Sequence, residues 1–151
     1  MARLTRYLAL DWGKRRIGLA ISDPTGTIAS PAGFILRRAG KRPPIAEVIR
    51  RASALEACGF VAGLPLDDSG GETERSSEVR AVSVALEART GLPVILVDER
   101  YTTAIALRTV RELGGKTRHR AGDIDSLAAT VLLQHALRLA EQPVDEVPDE
   151  S

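Results

Sequence analysis

The chain has little sulfur or imidazole: one cysteine, Cys58, and two histidines, His119 and His135, in 151 residues. A single thiol excludes an intrachain disulfide, and these side chains fall short of a four-ligand Cys/His zinc centre. Cys58 is expected to fill core and His135 to sit at its edge. Aromatic residues make up 3% of the chain, too few for a platform on which bases of a single strand stack. No apolar run approaches the roughly 18 residues of a membrane span, and Met1 to Arg6 lack the apolar stretch of a signal peptide. The expectation is a cytoplasmic protein with no membrane partner. A Gly-x-Gly-x-x-Gly fingerprint and a serine nucleophile elbow are also missing. Gly114-Gly115-Lys116-Thr117 imitates the end of a phosphate-binding loop, but Val110 stands where its first glycine belongs and the stretch follows a helical pattern.

What is present is an ordinary globular composition, 44% hydrophobic and 27% charged, in a length suited to one domain. That domain is expected over residues 1–140, with 141–151 as an acidic, Pro-containing, disordered tail. The net charge of +1 conceals an asymmetry: residues 1–60 hold 11 basic and 4 acidic residues, residues 61–151 hold 10 and 16. Basic residues gather at Lys14-Arg15-Arg16, at Arg37-Arg38 with Lys41-Arg42, and at Lys116, Arg118 and Arg120 around His119. Any one cluster suits a solvated loop. Three together favour a polyanionic partner, held mainly through its phosphates.

Residues 7–11, 17–22 and 32–36 read as strands of an antiparallel meander, the second and third separated by the turn residues Asp23-Pro24-Thr25-Gly26. Ile45 to Cys58 carries apolar residues at helical spacing and stops at Gly59. Phe60 to Leu64 and Pro93 to Asp98 are short buried-type strands around a helix from Glu72 to Thr90. Helices over 102–113 and 124–140 flank a basic loop. A meander followed by alternating helix and strand predicts an α/β domain with a mixed five-stranded sheet covered by helices.

Asp11 closes the first strand, and Asp98 with Glu99 closes the last, where ligands bind in parallel α/β sheets. In the final helix Asp125 shares a stripe with Ala128, Ala129 and Leu132 and so points inward, whereas Asp123 after Gly122 suits an N-cap. Three converging carboxylates form a hard-oxygen site for Mg²⁺ or Mn²⁺, and two such ions hydrolyse phosphodiesters. Asp98 and Glu99 face opposite ways along a continuing strand, so one is a ligand; spacing alone leaves the choice open.

The motifs Leu10-Asp11-Trp12-Gly13, Arg16-Ile17-Gly18, Ala20-Ile21-Ser22-Asp23-Pro24, Gly63-Leu64-Pro65-Leu66, Val97-Asp98-Glu99-Arg100 with Thr102-Thr103, and Asp125-Ser126-Leu127-Ala128-Ala129 with Leu132-Leu133-Gln134 resemble the YqgF/RuvX family. That family groups bacterial Holliday junction resolvases with nucleases that mature the 5′ end of pre-16S ribosomal RNA. The resemblance implies an RNase H-like fold and catalytic, metal-holding carboxylates at Asp11, Glu99 and Asp125, with Glu99 preferred over Asp98. It implies that Gly13 lets the backbone approach metal or phosphate and that Gly63 to Pro65 shape the cleft edge. Trp12 stands where an aliphatic residue is usual, beside Asp11 and in reach of a sugar or base.

The function implied is a two-metal nuclease acting in 5′-end maturation of pre-16S ribosomal RNA. Two alternatives stand beside it: a resolvase of Holliday junctions or other branched DNA, and a non-catalytic ribosome assembly factor that binds nucleic acid. The candidate nucleic-acid contacts are Lys14, Arg15, Arg16, Arg37, Arg38, Lys41, Arg42, Arg100, Lys116, Arg118, His119 and Arg120. The expected partners are RNA or branched DNA, with ribosomal precursor particles, and the chain is expected as a monomer or a homodimer.

Overall fold

The computed structural model describes residues 5–38, 40–113 and 121–141, the side chains of 112, 113 and 121–125 excepted. Strands β1 (Tyr7–Trp12), β2 (Arg16–Ser22) and β3 (Ala29–Leu36) form the meander; helix α1 (Ile45–Ala54) leads to β4 (Gly59–Leu64), and α2 (Glu74–Thr90) leads to β5 (Val94–Asp98). A 3-10 turn over Glu99–Tyr101 precedes α3 (Ala104–Leu113) and α4 (Ala121–Glu141). The strand order is β3-β2-β1-β4-β5, antiparallel across β1, β2 and β3 and parallel from β1 through β4 to β5. This is the mixed five-stranded sheet the residue pattern predicts.

Two apolar layers follow from the period of two along each strand. Leu8, Leu10 and Trp12 of β1 join Phe60, Ala62 and Leu64 of β4 against Val48 and Ala52 of α1 and Val79, Val82 and Leu86 of α2. On the opposite face Ala9, Ala20, Val61 and Val97 pack with Ala104 of α3 and with Ala128, Ala129, Leu132, Leu133 and Leu137 of α4. Residues of β1 and β4 on this second face are small where they meet α4, which brings that helix close to the sheet. Alternation therefore assigns Asp11 to the α3/α4 side and Trp12 to the α2 side.

Boundaries shift for local reasons. Strand β3 begins at Ala29 instead of Ala32 and includes Pro31, which an edge strand tolerates because its outer N–H groups need no partner. Helix α1 stops at Ala54, before Glu56, whose φ of 55° takes the chain out of the helix. Cys58 then lies exposed, which corrects its expected place in the core. Helix α2 starts two residues late because Thr73 forms a capping box with Ser76, and it ends at Gly91 in the left-handed region. The expected tail, Glu141 apart, and the loop carrying Lys116, Arg118, His119 and Arg120 lie outside the described residues. His135 is half-buried, as expected. Among the described residues no helix is long and apolar enough to cross a membrane.

Candidate active site

Strand register brings the first two acids together. Leu10 pairs with Ala62 and Gly63 with Val97, so Asp11, the last residue but one of β1, lies level with Gly63, and Glu99 follows the end of β5. Between them β4 presents Gly63, where a Cβ would sit 3.0 Å from Glu99 Oε2 and 2.7 Å from Leu132 Cδ1. The missing side chain on the middle strand leaves the space into which the Glu99 carboxylate reaches. Both acids are buried, Asp11 to 0% and Glu99 to 1% exposure.

Asp98 and Glu99 part company at the end of the strand. After Asp98 the chain turns into a 3-10 helix, and Asp98 caps that turn by accepting from Arg100 N at 3.1 Å. Its carboxylate forks with the Arg100 side chain, 2.6 Å from Nη2, and this contact holds its pKa below the usual carboxylate range. Glu99 instead points inward.

Two buried carboxylates side by side need positive charge. Helix α3 supplies it through Arg108 and Arg111, on the same stripe as Ala104 and Leu107. Arg108 donates from Nε to Asp11 Oδ1 at 2.7 Å and from Nη1 to Glu99 Oε1 at 3.1 Å, and its Nη2 meets Glu99 Oε2. Burial opposes the charge on Arg108, but the pull of Asp11 and Glu99 outweighs it and raises its pKa above the ordinary arginine value. Arg111 Nη1 lies 2.9 Å from Asp11 Oδ2, without the angle of a hydrogen bond. A Cβ at Gly13 would strike Arg111 Nη2, so the glycine makes room for a guanidinium, a role its sequence motif does not reveal. Neither arginine is among the residues expected from the sequence. A signal for them exists: positions 104, 107, 108 and 111 form one helical face, and two arginines on an inward face require buried acids.

Asp125 belongs to α4, but its side chain is outside the described residues. Among the described residues no group of three His, Cys, Asp or Glu side chains is assembled; the site there is the Asp11–Glu99 pair. The stripe mates of Asp125, namely Ala128, Ala129 and Leu132, are buried on the sheet face that carries Asp11.

The basic residues separate into two kinds. Lys14, Arg15, Arg38, Lys41 and Arg42 are exposed. They lie in the β1–β2 and β3–α1 connections, at the sheet end where the acids lie. Arg37 is drawn into the protein: it forks with Glu78 at 2.9 Å, donates to Gly13 O and lies over the Trp12 ring at 5.2 Å. Arg100 is committed to Asp98, and Arg16 lies over Phe34 at 5.4 Å. Trp12 is 3% exposed and donates from Nε1 to Glu78 at 2.7 Å, so it has no surface to offer a sugar or base, a correction to the expectation above. Tyr101, two residues after Glu99, is instead 74% exposed.

A mixed sheet with paired buried carboxylates at the carboxyl ends of β1 and β5 and helices on both faces defines an RNase H-like domain. A family model described as "RuvX: Holliday junction resolvase" matches residues 5–139. A protein of Anaplasma marginale (strain St. Maries) named "Putative pre-16S rRNA nuclease" is 39% identical over 136 residues, covering 90% of this chain and 86% of its own. A protein of Clavibacter michiganensis subsp. michiganensis (strain NCPPB 382) bearing the same name is 38% identical over 135 residues, covering 89% and 84%. Among solved structures, T. thermophilus RuvC in complex with Holliday junction substrate superposes with a TM-score of 0.53 at 12% identity, over 89% of this chain and 94% of that one, a likeness of fold. The chain belongs to the RuvX family.

Proposed function

We propose that the chain is a metal-dependent nuclease hydrolysing phosphodiester bonds, acting in the cytoplasm on the 5′ end of pre-16S ribosomal RNA. The observation that carries this reading is the burial of Asp11 and Glu99, at the ends of β1 and β5 on either side of β4, an arrangement that costs stability and gives the core nothing that apolar residues would not. The donor set fits a hard divalent cation: two carboxylates, with a buried Asp11 oxygen that lacks a hydrogen bond. Asp11, Glu99 and Asp125 would hold Mg²⁺ or Mn²⁺, the last as the family resemblance implies. Bound ions of this kind lower the pKa of an attacking water and stabilise the leaving oxygen.

The chain's own residues hold the substrate. Lys14, Arg15, Arg38, Lys41 and Arg42 would track the phosphate backbone along the sheet end, and Lys116, Arg118, His119 and Arg120 are further proposed phosphate contacts. The exposed ring of Tyr101 would stack on a base near the cut. Ribosomal RNA is favoured by the names of relatives 38% and 39% identical to this chain over the aligned residues. The second reading, a resolvase of branched DNA, rests on the description of the matching family model and requires a two-fold dimer so that paired strands are cut symmetrically.

The test offers labelled RNA carrying the pre-16S 5′ leader and a four-way DNA junction to wild type and Asp125→Asn, with Mn²⁺, Mg²⁺ or EDTA. Metal-dependent cutting of the RNA, lost in the variant, is expected. Preferred cutting of the junction selects the second reading, and binding without cutting of either substrate selects a non-catalytic assembly factor.

A further inference from the structure

Arg108 engages three of the four carboxylate oxygens of Asp11 and Glu99, with Nη2 also 2.6 Å from Asp11 Oδ1. Arg111 stands at the fourth. A divalent cation bridging the two acids would need these same lone pairs, at roughly 2.0–2.1 Å for Mg²⁺. It would also lie against a buried guanidinium of like charge. Cation and guanidinium therefore exclude each other from the gap.

From this geometry, and resting on the metal-dependent reading above, we propose that Arg108 is a resident counter-ion that the incoming divalent cation displaces. The guanidinium supplies the counter-charge that holds the two carboxylates in place, and metal entry requires it to swing out. The two arginines differ in a way that assigns the exchange to Arg108. Arg111 pairs with Asp11 and is wedged against Gly13, where even a methyl group would collide with it. Arg108 bridges both acids and occupies the space between them. It projects from the middle of α3, whose backbone is anchored by buried Ala104, so the exchange calls for rotation about its side-chain bonds and not for unfolding of the helix. The exchange makes metal affinity a difference between two terms, the attraction of the acids for the cation and their attraction for Arg108.

The test measures Mn²⁺ binding by calorimetry in chelator-stripped wild type, Arg108→Gln, Arg108→Lys and Asp11→Asn, and melting temperature with EDTA or Mn²⁺. Arg108→Gln is expected to bind Mn²⁺ at least about tenfold more tightly than wild type, to melt lower in EDTA and to gain more from Mn²⁺. Arg108→Lys, a point charge without a fork, should fall between. In wild type, which needs no variant to fold, the hydrogen-bonded Arg108 Nε–H should give a slowly exchanging resonance that shifts or vanishes as Mg²⁺ saturates. Mn²⁺ affinity no tighter in a folded Arg108→Gln, or an Nε–H resonance unmoved while Asp11-dependent Mg²⁺ binding saturates, overturns the displacement and leaves the metal reading standing. Absence of binding in wild type and Arg108→Gln alike, or binding indifferent to Asp11→Asn, removes the metal reading and this proposal with it.

Discussion

Arg108 Nε donates to Asp11 Oδ1 at 2.7 Å across 97 positions of sequence, tying helix α3 to the end of β1. Both side chains are buried, so neither charge can fall back on water once its partner is gone. Asp11→Asn and Arg108→Met should each cost about 3–5 kcal/mol when metal is chelated. The double variant should lose less than the two together by roughly 1–3 kcal/mol. Urea denaturation of all four proteins in EDTA checks this, and strictly additive losses would contradict a buried pair.

Asp11→Asn and Glu99→Gln should each lower the rate of cutting by about 10²-fold or more while leaving affinity for RNA within a few-fold of wild type. Single-turnover cleavage and filter binding on the same RNA separate the two effects. Equal loss of binding would place these acids in substrate capture instead.

Replacing Lys14, Arg15, Arg38, Lys41 and Arg42 together with alanine should weaken binding and flatten its salt dependence, by roughly 0.7 in log–log slope for each single-strand phosphate that is no longer neutralised. Titrations across salt concentration test this. Arg37→Ala should behave differently: its guanidinium is spent on Glu78 and Trp12, so the cost should appear in stability. An unchanged slope in the five-residue variant would remove these loops from the interface.

Gly63→Ala introduces a Cβ between Glu99 and Leu132 and should cost about 1–3 kcal/mol by overpacking. It should also impair cutting, because the methyl group occupies the space into which Glu99 reaches. Stability and cleavage measured together test the coupling; a stable, fully active variant would show that the glycine is dispensable.

Glu78 accepts from Arg37 and Trp12, and the Arg37 guanidinium chiefly holds its carboxyl below the usual range. A depressed folded pKa stabilises the protein above the unfolded value of about 4.3 and ceases to do so as pH falls through the folded one. The stability difference between wild type and Glu78→Gln should therefore be full near pH 6, about 1 kcal/mol given the partial exposure of the pair, and shrink toward pH 3. Thermal melts across that range decide; a difference independent of pH would mean that charge is not what Glu78 contributes.

The strands, their order of appearance and the amphipathic helices are legible because burial imposes periods of two and 3.6 that survive in the sequence. Asp11 is legible as an acid closing an apolar run. The burial of Glu99 instead of Asp98 is not legible from spacing, since strict alternation assumes a continuing strand, and the chain breaks it with a 3-10 turn that Asp98 itself caps. Trp12 looks like a surface contact from sequence because it adjoins Asp11. One step along a strand reverses the face, and it places the indole in the α2 layer instead.

The sequence by itself determined the layers, the family motifs and the charge at the two basic connections, all of which depend on spacing within one segment. Only the tertiary structure decided what neutralises the acids. That role fell to Arg108 and Arg111, because two carboxylates buried by β1 and the end of β5 must take their counter-charge from whichever element closes over them. Here that element is α3, nearly a hundred residues from Asp11.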